Sequence, residues 1–191
     1  MKSRVRLRWL LILIVIGIVV WLIPNPGEKP PPEFPSAGVS KTTPELSGRS
    51  RAAVLYIADK NHAGLLKTPV EIETEGANEA DLADVIVKKI FEGSSGLYPP
   101  ETAVREIFFY EDVAVISLDG SFRKKFDGGA WTELLAVYGI VNTVAESFEK
   151  VKRVRILIDE KEQDLFVSHV DIEREIAPDF SFVLPEEEAP Q

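Results

Sequence analysis

Residues 128–148, GGAWTELLAVYGIVNTVAESF, decide the fold of this chain. Two glycines precede a long run in which large apolar side chains recur at steps of three and four residues, the pattern of an amphipathic helix. This apolar stripe consists of Trp131, Leu134, Leu135, Tyr138, Val141, Ala145 and Phe148. Burying five large side chains of this kind contributes on the order of 10 kcal/mol before the cost of ordering the chain is counted. We therefore expect this helix to be the main packing element of the domain.

Upstream of the long helix, the pattern predicts two strands and a second helix. Residues 52–58 (AAVLYIA) are apolar on both faces, as in a central strand. In residues 70–75, Val, Ile and Thr alternate with Glu, which is typical of a strand with one wet face. Asn78 is placed to cap a helix over residues 79–92, and Gly93 is placed to end it.

Further strands lie on both sides of the long helix. Residues 105–110 and 113–119 predict a hairpin that turns at residues 111–112. Residues 151–159 predict a strand with apolar side chains on one face and arginines on the other, and residues 166–172 an additional edge strand. The order β-β-α-β-β-α-β predicts an α+β two-layer sandwich, in which a mixed β-sheet is covered by two helices on one face.

The first 23 residues predict a membrane anchor. Residues 1–8 carry four positive charges, and residues 9–23 (WLLILIVIGIVVWLI) carry none. As a helix this run spans about 22 Å, short of a hydrocarbon core of about 30 Å. Snorkelling arginines and a tryptophan at each end extend its reach. We predict a transmembrane helix over 9–23, with residues 1–8 in the cytoplasm and the domain in the periplasm or outside the cell.

A cleaved signal peptide is the alternative to this signal anchor. Cleavage requires small residues just after the apolar run. The first small cluster, Ser36-Ala37-Gly38, lies thirteen residues past Ile23, so we favour the retained anchor. Both alternatives export the domain.

A proline-rich stretch separates the anchor from the domain. Residues 24–50 hold seven of the thirteen prolines and predict an extended, disordered linker. The domain is then predicted over residues 51–176, followed by an acidic tail over 177–191 that contains three consecutive glutamates.

Charge and cysteine content exclude several classes of function. The overall charge is −9, and setting aside the four cations of the first eight residues leaves −13 for the rest. A domain this acidic repels phosphates, so nucleic acid is not an expected partner. The chain has no cysteine, which rules out disulfides, thiolate metal sites, a cysteine nucleophile and a lipoprotein lipobox.

Four features are candidates for a functional site, and for each we prefer a structural interpretation. Asn142 and Tyr138 lie on the apolar stripe of the long helix, where the Asn142 amide must find hydrogen bonds to a backbone segment. His169 and Asp171 would share a face of a strand, but no nucleophile or metal spacing accompanies them. The glycine pair before the long helix favours a tight turn over an anion site. We assign no catalytic, cofactor-binding or metal-binding residue and expect no cofactor.

The second half of the domain resembles the GerMN domain, named for the spore germination protein GerM. The resemblance covers residues 82–172. It rests on Phe91-Glu92-Gly93, Gly96-Leu97, Pro100-Glu101-Thr102, residues 112–118 (DVAVISL), Phe122, Phe126, residues 129–143 (GAWTELLAVYGIVNT), residues 151–159 and His169-Val170-Asp171. The chain departs from the family in its hairpin turn, Glu111-Asp112 in place of Asp-Gly, and in carrying one copy of the domain where GerM-like proteins can carry two. The resemblance implies an extracytoplasmic module for protein–protein assembly, without known catalytic residues.

These observations predict a non-catalytic, membrane-anchored protein-interaction module of the bacterial envelope, acting in sporulation, germination or envelope assembly. Its expected partner is an envelope protein or a second copy of the chain. The alternative is a domain that binds or modifies cell-wall peptidoglycan. That alternative requires a pocket with converging polar side chains around His169 or Asn142.

Overall fold

The computed structural model describes residues 50–94 and 96–185. The predicted transmembrane helix over 9–23, the linker up to residue 49 and the three consecutive glutamates of the tail lie outside these residues. Among the residues that the structure describes, no helix is long and apolar enough to cross a membrane.

The secondary-structure elements follow in the predicted order β-β-α-β-β-α-β. The strands are β1 (Ser50–Ala58), β2 (Leu65–Glu73), β3 (Val104–Tyr110), β4 (Val113–Leu118) and β5 (Arg153–Ile158). The helices are α1 (Glu79–Gly93) and α2 (Ala130–Ser147), with short 3-10 helices at Gly120–Lys124 and Phe180–Phe182. The α+β class and the β3–β4 hairpin are therefore confirmed.

The strands form two sheets where the sequence predicted one. β1 and β2 pair antiparallel in a two-stranded sheet, and β3, β4 and β5 form a mixed sheet in which β4 and β5 run parallel. Along the second edge of β1, the Tyr56 N–H donates to the Thr143 hydroxyl (2.8 Å) and the Ala58 N–H to the Ser94 hydroxyl (3.2 Å). The Thr143 side chain of α2 and the Ser94 side chain just after α1 thus accept the backbone N–H groups that a further strand would need.

The predicted helix start at Asn78 is confirmed. The Asn78 side chain accepts hydrogen bonds from the backbone N–H groups of Ala80 (2.8 Å) and Asp81 (3.0 Å). The Asp81 carboxylate accepts in return from the Asn78 N–H at 3.2 Å. This reciprocal arrangement satisfies donors that the first turn of a helix leaves free.

Helix α2 is buried on nearly all sides, whereas the sequence predicted one buried stripe. It contacts β1 of one sheet and β5 of the other, so almost every side chain from Leu135 to Val144 is buried. Trp131, placed on the stripe by the sequence, is instead 47% exposed. A helix with strands of two sheets against it has no single buried face, which is why the one-stripe prediction was incomplete.

The C-terminal part of the domain differs most from its prediction. Residues 166–172 form a compact loop rather than an edge strand, with one isolated bridge between Leu165 and Asp171. The predicted tail also starts too early, because residues 177–185 belong to the domain. The Leu184 N–H donates to the Leu65 carbonyl at 2.8 Å, and Phe182 packs against the core.

The replacement Leu135→Asp tests the packing of α2. Leu135 is fully buried, so a carboxylate there lacks both water and partners and should cost at least about 4 kcal/mol. We expect the variant to lose cooperative thermal unfolding and near-ultraviolet circular dichroism. The matched control, Val85→Asp, places the same charge at a 39% exposed helical position and should stay folded. A folded Leu135→Asp variant would contradict the placement of α2.

Candidate functional site

A buried carboxylate, which the sequence analysis missed, organises the candidate site. Glu133 lies in the first turn of α2, and its side chain is fully buried. Its two oxygens accept hydrogen bonds from four consecutive backbone N–H groups, those of Val167 (2.8 Å), Ser168 (3.0 Å), His169 (3.0 Å) and Val170 (3.0 Å). We call residues 167–170 the amide loop. The loop folds around the carboxylate much as a backbone nest folds around an anion.

The amide loop sets the protonation state of Glu133. Burial alone would raise the pKa of this carboxyl, but the four backbone donors outweigh burial and lower its pKa to about 2. The carboxylate therefore stays charged at physiological pH and is a weak base. Because its oxygens are already bound by the loop, the arrangement is suited to holding the backbone and unsuited to general acid–base catalysis.

His169 does not pair with Asp171, and it has the structural role that we preferred for it. The His169 Nδ1 lies 3.1 Å from Oε2 of Glu133 and 2.8 Å from the Ser168 hydroxyl. Asp171 instead accepts a hydrogen bond from the Glu173 N–H at 2.8 Å. The two residues lie in a loop, so the same-face geometry of a strand does not apply to them.

Asn142 makes the backbone hydrogen bonds that its position predicted. Its amide N–H donates to the Asp179 carbonyl (2.7 Å), and its carbonyl accepts from the Asp179 N–H (2.9 Å). The side chain is fully buried and both of its ends are paired, which leaves no group for a ligand. Asn142 therefore holds residues 177–185 against α2.

A shallow, open pocket of about 500 Å³ lies beside the segment that these two side chains hold. It is lined by Tyr138, Asp171, Arg174, Glu175, Ile176, Ala177, Pro178 and Asp179. Burial raises the pKa of Tyr138, and the negative charge of Asp179 raises it further, so the phenol stays neutral. The structure thus brings Tyr138 and Asp171 into one pocket. Asn142 and Glu133 do not line it, and they bind the backbone of the segments on either side of it.

Three aromatic rings continue from this pocket over the surface. The ring centroids of Tyr138 and Phe182 lie 4.6 Å apart, and those of Phe182 and Trp131 lie 5.8 Å apart. The Trp131 indole N–H donates to the His62 carbonyl at 2.7 Å. We call Trp131, Phe182 and Tyr138 the aromatic row.

The glycine pair before α2 does not form the tight turn that we preferred: residues 126–129 contain no turn or bend, and the Gly129 backbone is extended (φ −85°, ψ −171°). A β-carbon at Gly128 would lie 2.5 Å from the Thr132 hydroxyl oxygen and 2.8 Å from the Phe126 ring, so a larger residue does not fit. Gly129 is the N-cap of α2. Among residues 50–94 and 96–185, no group of three or more His, Cys, Asp or Glu side chains is arranged to hold a metal ion.

Weak sequence signals existed for the residues that were missed. Glu133 precedes Ala136 and Val137 by three and four residues, which places it on a buried side of the helix. An acidic residue in a first helical turn is nevertheless expected for its favourable interaction with the helix dipole, which hides this signal. Nothing in the local pattern around Arg174 or Phe182 indicated a pocket.

Comparison with known proteins identifies the family. The model of the Germane family, described as sporulation and spore germination, matches residues 54–164, more than half of the chain. The chain belongs to this family, and the resemblance to GerMN domains is confirmed. The match begins in β1, well before residue 82, where the sequence resemblance was placed.

Three solved structures align with the chain at low sequence identity. The tandem GerMN domains of the sporulation protein GerM from Bacillus subtilis align at 16% identity and a TM-score of 0.50, over 67% of this chain and 46% of that chain. The first GerMN domain of the same protein aligns at 15% identity and a TM-score of 0.49, over 66% of this chain and 97% of that one. A Clostridium perfringens protein described as a lipoprotein aligns at 20% identity and a TM-score of 0.48, over 70% of this chain and 90% of that one. No curated protein matches the chain.

Glu133→Gln tests the amide loop through the pH dependence of stability. The folded-state pKa is depressed from 4.5 to about 2, so the stabilisation is present above pH 4.5 and is lost as pH falls toward 2. We expect the difference in unfolding free energy between wild type and variant to be about 3 kcal/mol at pH 6 and to shrink toward pH 2. Urea titrations across this range measure it.

The control for this experiment is Glu149→Gln, an exposed carboxylate outside the amide loop. It should follow the wild-type curve, which separates Glu133 from the other titrating carboxylates. A pH-independent difference between wild type and Glu133→Gln would contradict the assigned pKa.

Asn142→Leu tests the attachment of residues 177–185. The substitution keeps the branched shape of the side chain but leaves the Asp179 N–H and carbonyl without their partner, at a cost of about 2 kcal/mol. We expect faster hydrogen exchange at Asp179 and at Leu184, with the β3–β4 amides unchanged. Wild-type exchange at both positions would show that Asn142 does not hold this segment.

Proposed function

We propose that this chain is a non-catalytic protein-interaction module of the bacterial envelope, located outside the cytoplasm and held at the membrane by residues 9–23. The observation that supports this proposal is an apolar cluster on the face of the β3–β4–β5 sheet opposite the helices. The cluster consists of Phe108, Tyr110, Val113, Val115 and Leu157, which we call the outer sheet face.

Strand register explains how this face arises. Ala114, Ile116 and Leu118 of β4 point into the main core, as the alternation of the sequence predicted. Val113 and Val115 point to the other side, where they form a separate cluster with Leu157 and Phe108. Tyr110 lies opposite Val113 on this face and is 59% exposed. An exposed aromatic beside aliphatic side chains is the composition of many interface centres.

Paired charges frame the outer sheet face. Arg153 pairs with Asp112 (2.9 Å) and Arg155 with Glu162 (2.9 Å), and both arginines also contact Glu175 (3.3 and 2.8 Å). These partly exposed pairs orient the arginines along the edge of the cluster. Val113, Val115 and Leu157 are themselves at most 9% exposed, so Tyr110 and the charged rim around it are the part of this face that a protein partner would contact.

The non-catalytic part of the proposal is supported by the state of the polar groups. Glu133 and Asn142 are fully buried and bound to backbone groups, which leaves neither available to a substrate. The family description, sporulation and spore germination, supports an assembly that operates in these processes or in the envelope. The predicted anchor and linker would then hold the module clear of the bilayer.

Site-specific crosslinking in intact cells tests this function. A photo-reactive amino acid replaces Tyr110 in the full chain, and the matched control carries it at Val85, an exposed apolar position on α1. We expect a discrete adduct from position 110 only, whose mass distinguishes an envelope protein from a second copy. No adduct at 110, or equal adducts at both positions, would contradict the assignment of the outer sheet face.

A further inference from the structure

The aromatic row presents a ring to water in a fixed position. Trp131 is 47% exposed, although its indole N–H is already bound to the His62 carbonyl. Its contact with Phe182, which stacks in turn on Tyr138, further restricts the ring. An exposed aromatic held in one orientation loses little conformational entropy when a ligand packs against it. The row therefore has the property of a prearranged platform.

The pocket at the end of the row holds an unpaired cation. Arg174 is exposed and makes no ion pair or side-chain hydrogen bond within the described part of the chain. By contrast, Arg153 and Arg155 are each engaged with two acidic partners. An arginine fork that is free in a pocket is suited to bidentate binding of a carboxylate.

Acceptors accompany this cation. One carboxylate oxygen of Asp171 and one of Asp179 accept backbone N–H groups, from Glu173 (2.8 Å) and Ser181 (2.9 Å). These bonds orient each carboxylate, and the Ser181 hydroxyl also hydrogen-bonds that of Asp179. A carboxylate has about four lone-pair sites, so both groups can accept from further donors. Hydroxyl and amide N–H groups of a ligand are donors of this kind.

We propose that the aromatic row and its pocket bind a linear glycan of N-acylated amino sugars that bear carboxylates, the chemistry of wall peptidoglycan. The C–H face of a sugar ring packs on the exposed ring of Trp131, and a ligand carboxylate binds Arg174. Ring hydroxyls and amide groups donate to Asp171 and Asp179. Within residues 50–94 and 96–185, Arg174 is the one arginine without a side-chain partner, and one such cation in an acidic domain suits isolated carboxylates and disfavours a polyphosphate chain, which needs clustered cations.

This binding activity goes beyond the protein-interaction role and uses different residues. Trp131 and Arg174 are not part of the outer sheet face. A protein partner crosslinked at position 110 and a glycan bound at Arg174 can each be found without the other, so one role can fail while the other stands.

Co-sedimentation with purified peptidoglycan tests the proposal. The full chain, purified in detergent, should pellet with the insoluble wall. Arg174→Glu and Trp131→Ala should each weaken binding by about tenfold, the effect of losing one charge-assisted contact or one aromatic contact. Lys124→Glu makes the same charge change at an exposed lysine outside the pocket and should bind like wild type.

Several outcomes would overturn the proposal. One is a full chain that stays in the supernatant, and another is wild-type binding by both Arg174→Glu and Trp131→Ala. Equal losses in Arg174→Glu and Lys124→Glu would show a general charge effect instead of a site. Since Arg174 is exposed and unpaired, its substitution should leave the melting temperature unchanged and keep the test valid if Trp131→Ala is unstable.

Competition identifies which part of the ligand is recognised. Soluble wall fragments that retain their carboxylates should displace the chain from insoluble peptidoglycan at concentrations about tenfold lower than neutral N-acetylglucosamine oligomers. Equal competition by the neutral oligomers would refute the role assigned to Arg174.

Discussion

The carboxylate of Glu133 is the constraint on which the C-terminal part of this domain depends. A charge in the core is tolerated only when hydrogen bonds replace its lost water, and four backbone donors of the amide loop do so. Asn142, nine residues later, projects from roughly the opposite side of α2, since nine residues make about two and a half turns. Together the two side chains attach the chain beyond β5 to α2 at two separate points.

This attachment builds the surfaces to which we assign function. Residues 171–179, which line the pocket, lie between the amide loop and the Asp179 backbone held by Asn142. Phe182 follows Asp179 and completes the aromatic row. Glu175, in the same segment, pairs with the arginines that frame the outer sheet face. The buried side chains of Glu133 and Asn142 therefore position the backbone, and we assign the contacts with partners to the exposed surfaces.

Local patterns in the sequence predicted the elements well but not the way in which they meet. The Asn78 cap, the alternation in β4 and the length of α2 follow from contacts between residues near in sequence. The division into two sheets depends on Thr143 and Ser94 reaching the edge of β1, which no local period encodes. Residues 166–172 were predicted as an edge strand, but the amide loop within them binds Glu133, which lies 34 or more residues earlier and is invisible to a local pattern. The prediction that Asn142 would bond to a backbone segment was correct, because a buried amide needs hydrogen-bond partners whichever part of the chain supplies them.

Native-state hydrogen exchange of the amide loop tests the central claim most directly. If the loop is held by Glu133, the amides of residues 167–170 should exchange only through global unfolding, with protection comparable to that of β4. Exchange of these four amides at the rate of an unstructured peptide, under conditions where β4 is protected, would contradict the account.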